Sequence, residues 1–163
     1  MKYDKLVLVS YIWDLFLQQC IVPDTNVTID EQLVAFRGRC RFVQYMPKPL
    51  TKYELKIFWL CESKSGFVLN GLVYVGCQPG EPPHKNLGLE VVQTLVLVIH
   101  NSGLNLLIDN FFTSILLAIY LLDKNITVVG TLRQNKRDIP QECLILLSTM
   151  HHDNVVKRSP KLS

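Results

Sequence analysis

Between Leu89 and Thr131 the chain carries only four charged side chains, Glu90, Asp109, Asp123 and Lys124. That scarcity confines the segment more than any other feature, because a run so apolar has to be covered, and its breaks decide how it divides. Leu89–His100 contains no proline or glycine and keeps a nearly continuous apolar face, which predicts a helix ended by Asn101-Ser102-Gly103. Leu104–Asp109 follows as a short, deeply buried strand. Thr113 or Ser114 is placed to cap a helix over Ile115–Asp123, whose lack of polar residues predicts packing on both sides. Ile126–Thr131 is rich in branched residues and predicts another strand. The polar residues Asn105, Asp109 and Asn110 also argue against one membrane span over Leu104–Leu122, which would need about 20 apolar residues.

Upstream, residues 6–17 (LVLVSYIWDLFL) follow two lysines as a signal peptide would, but Asp4 and Asp14 interrupt the pattern and no small-residue cleavage site follows. Ser10, Asp14 and Gln18 recur every four residues, which predicts a mostly buried helix with one narrow polar stripe. Pro23-Asp24-Thr25-Asn26 is a turn cluster, and Val27–Phe36 alternates as a strand does, with Asp30 on the side opposite Val27 and Ile29. Pro47 and Pro49 break the chain again. Tyr53–Cys61 and Phe67–Val75 are joined by the turn Glu62–Gly66 and read as a hairpin. Gly76–Gly88, with three prolines and three glycines, is a loop. Three antiparallel strands followed by α-β-α-β describe an α/β chain: a five-stranded mixed sheet with helices on its faces. Whether the Asp30 strand lies beside Leu104–Asp109 at the centre of that sheet decides whether the two aspartates can meet.

Across 163 residues, 48% are hydrophobic and 19% charged, which excludes a disordered tail, a collagen-like fibre and a charged coiled coil. The excess of apolar residues predicts an exposed hydrophobic surface through which the chain pairs with itself or aggregates. A net charge of +3 is too small to imply nucleic acid. Its distribution says more: Asp30 to Lys56 holds six basic residues against three acids. Cys20, Cys40, Cys61, Cys77 and Cys143 are spread singly, which suits neither a zinc site nor a secreted disulfide framework. An intracellular, soluble chain with structural thiols is the expectation.

The candidate chemistry centres on Asp30 and Asp109. On neighbouring strands their carboxylates would converge at one sheet edge, and an oxygen-only site of that kind suits Mg²⁺ or Mn²⁺. Two such ions about 3.5–4 Å apart serve phosphodiester cleavage. The plainer reading of an aspartate on a strand is a turn or cap residue. Arg133, Lys136 and Arg137 form a basic turn after the last strand, placed to meet DNA phosphates. Arg37, Arg39 and Arg41 alternate and would line one strand face. For both groups the simpler role is a solvated edge that discourages strand pairing. Trp13 and Trp59 read as core, and His151-His152-Asp153 as a solvated tail.

Four strings settle the balance: TIDEQLVAFRGRCRF (28–42), SKSGFVLNGLVYVG (63–76), LLIDNFFTSILLA (106–118) and VVGTLRQNKRDIP (128–140). With WDLFLQQC (13–20) ahead of them, they resemble the successive motifs of the piggyBac transposase family, in that family's order, from about Tyr11 to Pro140. The resemblance implies a ribonuclease H-like catalytic domain in which three aspartates bind two divalent ions, Mg²⁺ or Mn²⁺. It implies cutting of DNA at transposon ends, hairpin intermediates and joining at TTAA targets, in the nucleus. The first two family aspartates fall on Asp30 and Asp109. The third belongs to a later helix with no counterpart before Ser163; the later acids are Asp138, Glu142 and Asp153, of which Asp138 stands where the family often has an acid of its own and is a poor substitute.

This predicts a helical lead-in over residues 1–25, a partial ribonuclease H-like domain over 26–141 truncated at its C-terminal end, and a tail over 142–163. The expected function is a transposase-derived DNA-cleaving and strand-transfer core, catalytically incompetent as this polypeptide alone. The alternatives are a domesticated DNA- or protein-binding derivative and a decayed transposon reading frame. No membrane partner is expected.

Overall fold

Strand β1 (Asn26–Ala35) is the spine of the molecule, because it pairs on both edges. The computed structural model describes residues 7–17, 22–40, 42–45, 53–76, 86–132 and 145–150. A helix α1 (Val7–Leu17) precedes β1, and the strands β2 (Gln44–Tyr45), β3 (Tyr53–Glu62) and β4 (Val68–Val73) follow it. Next come α2 (Leu87–Leu95), continued by a 3₁₀ turn over Val96–Ile99, then β5 (Asn105–Ile108), α3 (Ile115–Asp123), β6 (Thr127–Leu132) and β7 (Ile145–Ser148).

On one edge β1 runs antiparallel to β3, from Val27 opposite Glu62 to Ala35 opposite Glu54. On the other it runs parallel to β5, from Asn26 beside Asn105 to Ile29 beside Ile108. β5 continues in parallel to β6, and β7 closes that side antiparallel. β2 and β4 pair with β3. Parallel neighbours need a crossover, and α2 and α3 supply it.

The crossovers leave both helices on one face of the sheet. There Val27, Ile29, Phe58, Leu60, Leu106 and Val128 are buried against Val92 and Leu95 of α2 and Leu117 and Leu121 of α3. Ser114 caps α3, its hydroxyl oxygen accepting from the Leu117 N–H at 3.2 Å. Asn125, at φ 55°, ends it in the left-handed conformation. On the reverse face, α1 covers only the β3–β4 side. Trp13 stacks on Trp59 with ring centroids 5.1 Å apart, and its indole N–H donates to the Gly71 carbonyl at 3.2 Å. A Cβ at Gly71 would strike the Trp59 ring, so the contact requires glycine.

The mixed sheet with flanking helices and the β1–β5 neighbourhood agree with the sequence reading, with four corrections. Among the described residues the sheet has seven strands rather than five. The additions are β2, two residues long, and β7, which lies within the stretch expected to be a tail, so the sheet extends past residue 141. Of the α1 side chains that are described, Tyr11, Leu15 and Phe16 are exposed, against the expectation of a mostly buried helix. α3 packs on one side only and leaves Ile115, Leu116, Ile119 and Leu122 in solvent. Arg37 and Arg39 lie past the end of β1 in irregular backbone, not on a strand face. Among the described residues no helix is long and apolar enough to cross a membrane.

Candidate carboxylate cleft

The β1–β5 register ends at Ile29 beside Ile108, so Asp30 and Asp109 are the next residues on two adjacent parallel strands. Side chains alternate along a strand, which puts both aspartates on the face away from α2 and α3. Ligands of open α/β sheets gather at the carboxyl ends of parallel strands, and this is such a place. Thr28, Asp30, Leu107, Asp109, Thr131 and Leu146 line an open cleft of about 390 Å³ there.

Each carboxylate is half-anchored by a backbone donor. Asp30 Oδ1 accepts from the Glu31 N–H at 2.8 Å, and Asp109 Oδ1 accepts from the Phe111 N–H at 2.9 Å. Among the described residues neither aspartate is in an ion pair. Lys56, on the neighbouring strand β3, is held on the other face. It pairs with Glu31 and lies 5.0 Å and 5.2 Å from the Phe58 and Phe111 ring centroids. Cys61 lies on the cleft face across β1. Burial pushes its thiol pKa up, and the charge of Asp30 pushes it further. The two aspartates themselves offer hard carboxylate oxygen, which fits Mg²⁺ or Mn²⁺. No third acid, histidine or cysteine completes a cluster among the described residues.

Arg133, Lys136 and Arg137 lie outside the described residues. Thr131, two positions before Arg133, lines the cleft. Arg37 and Arg39 are exposed and, with Phe36 and Tyr53, line a second pocket of about 640 Å³.

A family model described as transposase IS4 matches residues 6–161. The chain belongs to this transposase family. It is also similar to a solved piggyBac transposase, from a cryo-EM structure of a synaptic complex with hairpin DNA. The two share 43% sequence identity with a TM-score of 0.74, over 85% of this chain and 30% of that one. The chain is thus a piggyBac-type transposase domain with a ribonuclease H-like mixed sheet, spanning 30% of the length of that solved chain.

In this transposase domain two residues beside the cleft escaped the sequence reading. Thr113 was one of two candidate caps for α3, but Ser114 takes that role and the Thr113 hydroxyl turns back to the Asp109 carbonyl at 2.6 Å. Gly130 lies inside β6, where a Cβ would meet Thr113 Oγ1 and lie 3.0 Å from the Ile108 carbonyl oxygen. The legible signal was the glycine itself, since glycine within a strand marks close approach.

Proposed function

We propose that this domain is the strand core of a metal-dependent DNA-cleaving and strand-transferring transposase, with Asp30 and Asp109 as catalytic residues that share a Mg²⁺ or Mn²⁺ ion. The observation that carries this reading is their placement: consecutive register positions on adjacent parallel strands, on one face, both lining one open cleft. A bound ion would supply charge neutralisation of a phosphodiester and a more acidic water. Asp30 and Asp109 fix where it sits, each offering the carboxylate oxygen that its backbone donor leaves over. Water reaches the face, so the two charges carry little desolvation cost before DNA arrives.

Arg133, Lys136 and Arg137 would hold backbone phosphates beside the cleft, consistent with action on DNA in the nucleus. Two carboxylates hold one ion weakly, whereas in-line displacement with two ions needs a further acid. The 163-residue polypeptide assayed alone is therefore assigned ion and DNA binding without cleavage.

A second reading, a transposase-derived protein that works by contact rather than cutting, draws on α3, whose Leu116 is 71% and Ile119 62% exposed. Such a face suits protein association.

The test is a hairpin-ended DNA duplex with the purified chain, at rising salt and with Mn²⁺. Binding that weakens as salt rises, with a smaller salt dependence in the triple alanine variant of Arg133, Lys136 and Arg137, is expected. Absent binding at low salt refutes the DNA assignment. Mn²⁺-dependent nicking abolished by Asp30→Asn refutes the assigned incompetence and points to a later acid completing the site.

A further inference from the structure

Asp30 and Asp109 reach the cleft from unequal footings. Asp30 lies within β1, and the β3 ladder continues past it to Ala35 opposite Glu54. Asp109 is the first residue beyond β5, where the ladder to β1 has stopped at Ile108. Its backbone needs another source of order, and the loop leading to α3 contains one.

We propose that Thr113 is a positioning residue for Asp109, and that Gly130 is kept free of a side chain to seat the Thr113 hydroxyl. The proposal rests on the carboxylate reading above and adds how one of its two aspartates is aimed. Thr113 is 2% exposed. Its hydroxyl and its N–H both donate to the Asp109 carbonyl, at 2.6 Å and 3.1 Å. Two bonds on one carbonyl close residues 109–113 into a fixed turn at the point where β5 ends.

Within that turn the Phe111 N–H is presented to Asp109 Oδ1 at 2.9 Å, so the carboxylate orientation follows from the turn. Oδ2 is left for the cleft. The adjoining wall is β6: a Cβ on Gly130 would overlap Thr113 Oγ1 and crowd Ile108 Cγ1 and its carbonyl oxygen, each at 3.0 Å. The hydroxyl is not needed for capping, because Ser114 caps α3. Burying it costs free energy unless it is bonded, and it donates to the residue that carries the carboxylate.

The experiment uses the whole 163-residue chain and the variants Thr113→Val, Thr113→Ser, Gly130→Ala and Asp109→Asn. NMR three-bond Hα–Hβ couplings of Asp109 report its side-chain rotamer without any metal, and the EPR signal of free Mn²⁺ reports ion affinity. Wild type and Thr113→Ser should show one rotamer and similar affinity. Thr113→Val and Gly130→Ala should show averaged couplings and bind Mn²⁺ about 10-fold more weakly, the loss usual for groups that orient a metal ligand.

Wild-type couplings and affinity in Thr113→Val overturn the proposal, and if Asp109→Asn still loses Mn²⁺ the carboxylate reading survives that failure. Averaged couplings in Thr113→Val, in a chain whose Mn²⁺ binding ignores Asp109→Asn, support the positioning and refute the metal reading. Should Thr113→Val not fold, Gly130→Ala decides: unchanged couplings overturn the proposal and averaged ones support it.

Discussion

Along β1, β5 and β6, side chains alternate between two faces that have little in common. Val27, Ile29, Leu106 and Val128 are at most 2% exposed beneath the helices. On the reverse, Thr28, Leu107 and Val129 are half-buried, and Leu146 of β7 is 65% exposed. The aspartates belong to the second face. A carboxylate on the first would be stripped of water with nothing to replace it, at a cost of several kcal/mol. On the second it keeps its hydration until a ligand displaces it. One strand can therefore serve a dry core and a polar cleft, and only the parity of the residue number decides which a side chain joins.

The largest effect expected from this contrast is on stability. Leu106→Ala should cost about 2–5 kcal/mol in a denaturant titration, as buried leucine truncations do. Leu107→Ala, the next residue on the same strand, should cost clearly less; equal losses would break the distinction between the faces.

A smaller effect tests the stretch of the reverse face that α1 covers. Gly71→Ala forces a methyl into the Trp59 ring against which Trp13 stacks, and overpacking of this kind costs about 1–3 kcal/mol. Tryptophan fluorescence should shift with it. An unchanged emission spectrum would mean that α1 does not hold the stack.

Smaller again is a pH effect at the end of β3. The Ser65 hydroxyl and N–H, with the Lys64 N–H, bond the Glu62 carboxylate and hold its pKa below the ordinary glutamate range. A lowered folded pKa contributes stability that is complete above the ordinary value and is lost as pH falls through the lowered one. Glu62→Gln should therefore flatten the acid limb of the stability curve and leave its neutral-to-alkaline part parallel to wild type. An unchanged acid limb would contradict the turn geometry. Least of all, Leu146→Ser on the open face should move stability by no more than about 0.5 kcal/mol.

Much of this was legible in the residues. Alternation in Val27–Ile29 and the apolar runs after Leu89 identified the core face, and element order together with the family's motif strings placed Asp30 beside Asp109. What escaped has a common cause: a pattern says which side chains favour burial, not whether anything arrives to cover them. Ile115, Leu116, Ile119 and Leu122 read as buried on composition, yet no described element lies over them. Arg37 and Arg39 alternate as strand residues do, but a strand needs a partner, and among the described residues the pairing with β3 ends with the Phe36 N–H on the Tyr53 carbonyl. β2 is two residues long and leaves no period. Thr113 could not be told from Ser114 as a cap, because the difference lies in which backbone atom each hydroxyl reaches.

The central claim is that Asp30 and Asp109 share one ion, and paramagnetic broadening tests it most directly. Substoichiometric Mn²⁺ added to the isotopically labelled chain should broaden the amide signals of Asp30, Glu31, Asp109 and Asn110 together, and Asp109→Asn should abolish the broadening at both strands. Broadening confined to one strand, or centred instead on His151-His152-Asp153, would contradict it.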